Sequence, residues 1–439
     1  MDDLLAPFHR ALTPRPRWRI GTEAEKFGLL ADSLEPLPFE GPRSVRRVLD
    51  LLVERHGWYE EREHAEGEVI SLRRGDASIT LEPAGQLELS GAPFASVHQA
   101  CAEFGAHLHE LRGISAELGV TWLSVGFHPF ARHEDLPHVP KLRYAIMRSY
   151  MPTRGPRSTD MMRRTCTVQA NLDYESEDDA VRKLRVALAL QPIATAMFAN
   201  SPLIEGRVAP HLCERAAVWL EMDRDRSGIL PFAWERDMSF RRYVEWALDV
   251  PMFMLKRGSR VIENTGQTFR DFMRNGAEGE RATMDDWETH LNSLFPEARL
   301  KKTLEVRGVD AQPNDLVCAV PALWKGLLYD EEALSKAESL IAWLDATTVQ
   351  AARPAIARDA LRAELAGRSL ERWAQDLVEI AEGGLERQPM LNRNGDDERV
   401  HLVRLRELLD QGKTPAQLVL EAIERGDDFR RDAVEATRV

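Results

Sequence analysis

The sequence predicts an α+β fold: an antiparallel sheet with one ligand-rich face, helices packed outside it and a helical C-terminal region. Three observations carry this expectation. Four short stretches place carboxylates, amides or an arginine two residues apart. They are Glu23 and Glu25 in WRIGTEAEKFGLL; Gln86 and Glu88 in SITLEPAGQLELSG, with Glu82 just upstream; Gln169, Asn171 and Asp173 in CTVQANLDY; and Glu305 and Arg307 in TLEVRGVD. Residues i and i+2 of a strand project from one face, and apolar residues such as Leu87, Leu89, Val168, Ala170 and Leu172 fill in-between positions. Amphipathic helical stretches separate these strands. From Pro321 onward the pattern is almost wholly helical, rich in Glu, Leu, Ala and Arg.

Element by element, residues 1–12 read as a short helix, and the turn from Pro14 to Pro16 leads into the first Glu-x-Glu strand. Residues 44–55 carry Val45, Val48, Leu49 and Leu52 at helical spacing. Two or three strands follow over 68–89, then a long amphipathic helix over 94–118 and a strand in TWLSVGFHP. KLRYAIMRSYMPTRG reads as a short helix bearing Arg143 and Arg148 and ended by Pro152. CTVQANLDY is a strand, and Ser176 with Asp179 resembles a capping box opening a helix towards Ala199. Residues 240–248 are amphipathic and 287–295 helical before the LEVRG strand. Residues 1–329 thus hold the sheet and its flanking helices, and 330–439 form a helical region of the same domain.

At 439 residues and 49.8 kDa the chain can bury a large core. A net charge of −13 argues against a nucleic-acid binder, which needs a basic surplus to displace counterions from phosphates. MDDLLAPFHRAL has no basic start followed by an apolar run, so no signal peptide is expected and the cytoplasm is the default. The most apolar stretch, LRVALALQPIATAMFANSPL, is interrupted by Gln191, Pro192 and Asn200 and is too short and polar for a membrane span. Cys101, Cys166, Cys213 and Cys318 show no Cys-x-x-Cys pair, so neither structural zinc nor a disulfide framework is implied.

So many acids on one surface need positive charge near them. Either each pair lies on a solvated sheet face, as antiparallel sheets allow, or the pairs converge on a cation. Oxygen donors of this type suit Mg²⁺, which binds through a few carboxylates together with substrate phosphates. No reaction is named by this reading, and a metal-dependent phosphohydrolase remains open at this point.

The motifs IGTEAEKFG, LEPAGQLELSGAPF, RYAIMRSYMP, RTCTVQANLD, LALQPIATAMFANSPL, RSGILPF, ALDVPM, TGQTFRDF and LEVRGVD, in this order over about 18–329, resemble the plant-type glutamate–cysteine ligases, a family also found in proteobacteria. The resemblance implies a glutamine-synthetase-like funnel of antiparallel sheet. It also implies ATP-dependent formation of γ-glutamylcysteine through γ-glutamyl phosphate, the first step of glutathione synthesis. Carried over motif by motif, Glu23, Glu25, Glu82, Glu88 and Glu305 match the magnesium-binding acids. Arg307 would stabilise the transferred phosphoryl group, and Glu88 and Arg307 would carry the chemistry. Gln169 and Asn171 would meet nucleotide, metal or substrate, Arg143 and Arg215 would hold the glutamate carboxylates, and Gln86 would line the substrate pocket. No Gly-x-x-x-x-Gly-Lys-Ser/Thr loop is present, in keeping with a family whose ATP lies on the sheet. Lys26 is either a phosphate contact or a solvated strand lysine.

Two departures stand out. The plant members carry tyrosine where ALDVPMF has Phe253, in the pocket for cysteine, so a hydroxyl that could orient the acceptor is missing. MRNGAEGERAT is shorter than its plant counterpart and lacks that region's cysteine. Cys101 and Cys318 match the family's other redox-active pair, a candidate disulfide. The resemblance further implies glutathione feedback and a monomer or homodimer. Two rivals follow: a same-fold ligase using a different acceptor amine, and a non-catalytic glutamate or nucleotide sensor.

Overall fold

The spine of the sheet is the long strand Ile20–Leu30 (β1). A computed structural model describes residues 1–62, 67–258 and 260–439. Around β1 it arranges Tyr59–Arg62 (β2), Val69–Arg74 (β3), Ala77–Leu81 (β4), Leu87–Ser90 (β5), Val120–Leu123 (β6), Thr167–Leu172 (β7), Ala298–Leu300 (β8) and Leu304–Asp310 (β9). Among the described residues these nine strands form one sheet in the order β8-β9-β7-β1-β5-β4-β3-β2, with β6 pairing the far half of β1. Every neighbouring pair is antiparallel.

Alternation decides which side faces the core. Ala77, Ile79 and Leu81 of β4 and Leu87 and Leu89 of β5 are buried apolar residues, while Thr80 and Glu88 face the other way. Helices Val45–His56, Val97–Leu118, Glu177–Met197 and Ala319–Leu328 pack against the strands. Ser44 opens the first of these, its side chain accepting from Arg47 N at 3.1 Å, and Gly57 closes it at φ 70°; the left-handed closing turn favours glycine.

Two local expectations are corrected. Ser176 caps its helix by accepting from Asp179 N at 3.1 Å, but the Asp179 carboxylate turns to Glu175 N and Lys183, so the box is only half made. The helix Glu177–Met197 runs through Pro192 to near the end expected at Ala199. It is buried nearly all round from Leu184 onward, and such packing outweighs local helix propensity. The helix expected over 287–295 is Met284–Leu291, started three residues earlier by a reciprocal box between Thr283 and Asp286.

The C-terminal region is helical apart from a hairpin of two-residue strands, Glu364–Leu365 and Arg368–Ser369. Trp373 and Leu377 share one apolar core with Ile20, Leu87 and Val168 of the sheet. The chain ends beside β6, where Val439 N donates to Trp122 O at 3.1 Å. Among the described residues no helix is long and apolar enough to cross a membrane.

Cys101, on the helix Val97–Leu118, and Cys318, at the N-cap of Ala319–Leu328, form a disulfide with their α-carbons 5.9 Å apart. Cys166 and Cys213 are buried free thiols. The bond joins residues 217 positions apart. Constraining so long a loop in the unfolded chain stabilises the fold by a few kcal/mol on chain-entropy reasoning. Reduction should therefore lower the melting temperature by several degrees, and the Cys101→Ser variant should melt identically with and without reductant. Wild-type melts that superimpose under both conditions would contradict this.

Candidate active site

The polar face of the sheet lines a cavity of about 580 Å³. Its wall extends from Ser71 on β3 to Arg299 on β8, so the sheet curves around it. Register lines up the site side chains in rows. Ser71, Thr80, Glu88 and Glu25 face one another in sequence across four strands. Glu23 faces Gln169, and Asn171, Glu305 and Arg299 form a third row.

One pole of the cavity is acidic. Glu23, Glu25, Glu82 and Glu88 all line it. Glu88 is held by Ser90 Oγ at 2.6 Å and Thr80 Oγ1 at 3.0 Å, and Glu25 accepts from Thr167 N at 3.0 Å. Asn171 Nδ2 donates to Glu23 at 2.8 Å. These bonds do not balance the charge. Burial, with Glu305 and Glu88 nearby, pushes the Glu23 carboxyl up to about 7. Burial and the Glu82 and Glu88 carboxylates raise Glu25 well above the usual carboxylate range. Burial and Glu82 raise Glu88 as well. Lys301 acts against the rise at Glu23, Arg215 at Glu25 and Lys141 at Glu88, but burial and the crowding of like charge outweigh them.

The other pole is basic. Arg299 forks onto both oxygens of Glu305 at 2.8 Å, Lys301 Nζ sits 3.0 Å away, and Arg307 completes the ring of cations. Burial opposes charge on Glu305, yet Arg299, Lys301 and Arg307 hold it well below the usual range. Arg307 Nη1 also donates to Gln169 Oε1 at 2.8 Å, and its Nε has no hydrogen-bond partner among the described residues. Pairing of β9 with β7 shifts register between Val306 and Val309, a bulge that re-aims the side chain between them. A side chain could not replace Gly308 there, because a Cβ would lie 2.5 Å from Gln191 Cγ and Glu297 Oε2. The bulge leaves the Arg307 carbonyl free to accept from Arg215 Nη2 at 2.8 Å and Thr167 Oγ1 at 3.3 Å.

Arg143, Arg215, Gln86, Gln169 and Phe253 also line the cavity. Arg143 Nη2 donates to Tyr144 OH at 3.2 Å, beside Glu82. The Gln86 amide is occupied by backbone, accepting from Ala84 N at 2.9 Å and donating to Thr165 O at 3.2 Å, so its part is to hold the turn before β5. The Phe253 ring lies 4.0 Å from the guanidinium of fully buried Arg226.

Three expectations change. Lys26 is on the opposite side of β1 from Glu23 and Glu25, its Nζ buried 3.4 Å from His107 Nε2 of the helix Val97–Leu118; it is neither a phosphate contact nor solvated. Glu305, expected among the magnesium-binding acids, lies among three cations and off the cavity wall, so the chain itself supplies its counter-charge. Asn171 is also off the wall, orienting Glu23 and accepting from Thr303 Oγ1 at 3.1 Å. Arg299 and Lys301 escaped sequence reasoning. Their signal was the hairpin ARLKKTLEV, whose pairing sets Arg299 opposite Glu305.

A family model described as glutamate-cysteine ligase family 2 matches residues 19–436. The chain belongs to this family. Among its relatives, glutamate–cysteine ligase B, chloroplastic, of Oryza sativa subsp. japonica is 42% identical over 96% of this chain and 84% of its own length. The chloroplastic glutamate–cysteine ligase of Arabidopsis thaliana is 42% identical over 96% of this chain and 79% of its own. The fold matches a crystal structure of a Francisella tularensis glutamate–cysteine ligase in complex with AMP, with TM-score 0.56 and 13% identity, covering 96% of this chain and 87% of that one. These findings correct the cytoplasmic expectation, since the rice and Arabidopsis family members are named chloroplastic. Family membership answers what the geometry alone leaves open: the two-pole cavity is that of a ligase.

Proposed function

We propose that this cavity joins the γ-carboxylate of glutamate to the amine of cysteine, with ATP as the phosphoryl donor. The observation that carries the reading is the crowding of four buried acids and a set of cations on one concave sheet face. A carboxylate oxygen is a poor leaving group. Transfer of the ATP γ-phosphoryl group to it gives γ-glutamyl phosphate and ADP; the cysteine amine then attacks the acyl carbon and phosphate departs. The protein's work is positioning and charge neutralisation.

Glu23, Glu25, Glu82 and Glu88 would hold Mg²⁺. Among the described residues no three carboxylates bring oxygens within 4.8 Å of one another, which fits an ion that takes one or two carboxylates and completes its shell with phosphate oxygens and water. Such an ion would neutralise charge on the nucleotide phosphates. Arg307, kept in place by Glu305 and Gln169, meets the migrating phosphoryl group. Arg143 and Arg215 hold the carboxylates of glutamate by two-point contacts. Phe253 faces the acceptor, and its lack of a hydroxyl leaves acceptor choice to shape and to neighbouring groups.

The test is ADP release with glutamate, with cysteine or a panel of other amines added or omitted, followed by mass analysis of the product. One ADP per γ-glutamylcysteine is expected. Release that ignores every acceptor would defeat the reading, and a different preferred amine would relocate it within the fold.

Two narrower outcomes follow. Arg215→Lys should raise the KM for glutamate about tenfold or more while moving that for ATP much less, because an ammonium cannot reproduce the planar grip; equal effects would place Arg215 elsewhere. The acids also predict a pH effect on stability. The Glu23 carboxyl rises from 4.5 to about 7 on folding, so the fold binds its proton more tightly than the unfolded chain does. Stability from this group is therefore present below pH 4.5 and lost as pH rises to about 7. Mg²⁺ should offset that loss, raising the melting temperature more at pH 8 than at pH 5. A Mg²⁺ effect of equal size at both pH values would contradict it.

A further inference from the structure

Outside the catalytic cavity, one group of metal-ligating side chains stands together among the described residues. The sulfurs of Cys101 and Cys318 and a ring nitrogen of His401 all lie within 4.8 Å of one another. They come from three elements: the helix Val97–Leu118, the N-cap of Ala319–Leu328 and the 3₁₀ turn Glu398–Leu402. All three are half-buried, open to a small reagent or ion. The turn bearing His401 is fixed to both helices that bear the cysteines. Its first residue, Glu398, accepts from Val97 N at 2.5 Å and from Lys325 Nζ at 2.6 and 2.8 Å.

A hydrogen-bond relay sets the orientation of the imidazole. His98 Nε2 lies 3.1 Å from Met390 O, His98 Nδ1 lies 2.9 Å from His401 Nε2, and His401 Nδ1 lies 3.8 Å from Cys101 Sγ. A carbonyl only accepts, so with both rings neutral His98 donates through Nε2 and accepts at Nδ1. His401 then donates through Nε2, which leaves the lone pair of its Nδ1 facing the sulfurs. A ring whose far nitrogen is anchored in this way is the usual arrangement behind a metal-binding histidine.

We propose that the reduced Cys101–Cys318–His401 cluster is a binding site for a thiophilic divalent cation such as Zn²⁺ or Cd²⁺, and that disulfide and metal are alternative states of one place in the fold. A dithiol opens the bond by exchange. Its two thiols become a cyclic disulfide, and two electrons and two protons pass to Cys101 and Cys318. The cation then displaces those two protons and takes two thiolates and His401 Nδ1, with a water as fourth ligand. Tetrahedral coordination at about 2.3 Å per sulfur needs the sulfurs roughly 3.7 Å apart, a separation that side-chain rotation supplies across the 5.9 Å between the α-carbons. Thiolate and imidazole donors set this site apart from the all-oxygen acidic pole, which suits Mg²⁺.

The test uses the full chain, reduced with a dithiol that is then removed without oxygen, and titrated with Cd²⁺ alone. The readout is thiolate-to-cadmium charge-transfer absorption, to which the carboxylates of the cavity do not contribute. One saturable equivalent is expected in reduced wild type, none in the oxidised protein, and none in Cys318→Ser. His401→Gln should bind at least tenfold more weakly, and His98→Gln about tenfold more weakly. Peptide-mapped alkylation checks the site without any variant: Cd²⁺ should protect Cys101 and Cys318 but leave the labelling of Cys166 and Cys213 unchanged. A signal in reduced wild type no greater than that of Cys318→Ser, affinity indifferent to His401, or absence of protection would each overturn the proposal.

Discussion

Arg307→Ala should lower kcat about a thousandfold or more, the scale on which an arginine acts on a migrating phosphoryl group. The fold should survive the change. Glu305 keeps Arg299 on both oxygens and Lys301 at 3.0 Å. The bonds from Arg215 and Thr167 go to the Arg307 backbone carbonyl, which alanine retains. The loss is thus confined to the guanidinium, and the KM for glutamate should change little. Arg307→Lys should recover only part of the rate, because one ammonium restores the charge but not the planar pair of donors. Steady-state kinetics on both variants would check this. A fall of tenfold or less in the alanine variant would remove Arg307 from the phosphoryl group.

Glu88→Gln should move activity and stability in opposite directions. The amide oxygen can still accept from one of the Ser90 and Thr80 hydroxyls, and the amide NH2 can donate to the other, so local structure is kept. Turnover should fall about a hundredfold or more with the loss of one of the charges that would hold the metal of the proposed reaction. The metal-free protein, however, should melt higher than wild type. Burial and Glu82 raise the Glu88 carboxyl, and Glu88 raises Glu23 and Glu25 in turn; removing it relieves both of those. Parallel measurement of kcat and of melting in EDTA separates the two effects. A variant that is less stable in EDTA and fully active at limiting Mg²⁺ would show that Glu88 is structural.

Much of this was legible in the chain because strand parity is a strict rule. Glu23 and Glu25, Glu88, Gln169 and Arg307 were placed on one face by spacing alone, and they line one cavity. The same rule places Lys26 on the back of β1, and reading it as a phosphate contact let adjacency to Glu25 override parity. What spacing could not supply was pairing between distant strands. That Glu305 would be neutralised by Arg299 depends on hairpin register, and that Arg215 would reach the Arg307 carbonyl depends on a bulge and on a helix 92 positions away. The Cys101–Cys318 contact likewise came from family resemblance, since nothing local in either segment points to the other. A helix end was misjudged at residues 287–295, where the reciprocal box between Thr283 and Asp286 starts the helix at Met284.

The place of β1 between β5 and β7 has a consequence for how the protein is made. All four cavity acids lie within the first 88 residues, whereas the bulged strand with Arg307 is among the last of the sheet to be synthesised. A ribosome that has released 150 residues therefore displays six of the nine strands, β1 to β6, with the Ile20–Ala24 stretch of β1 still lacking its β7 partner. That open edge is a template for wrong partners until β7 arrives, and the sheet is complete only after residue 310. Pairings of such long sequence separation form slowly. The interval between emergence of β1 and arrival of β9 is thus the stretch of synthesis in which this chain most needs protection from aggregation.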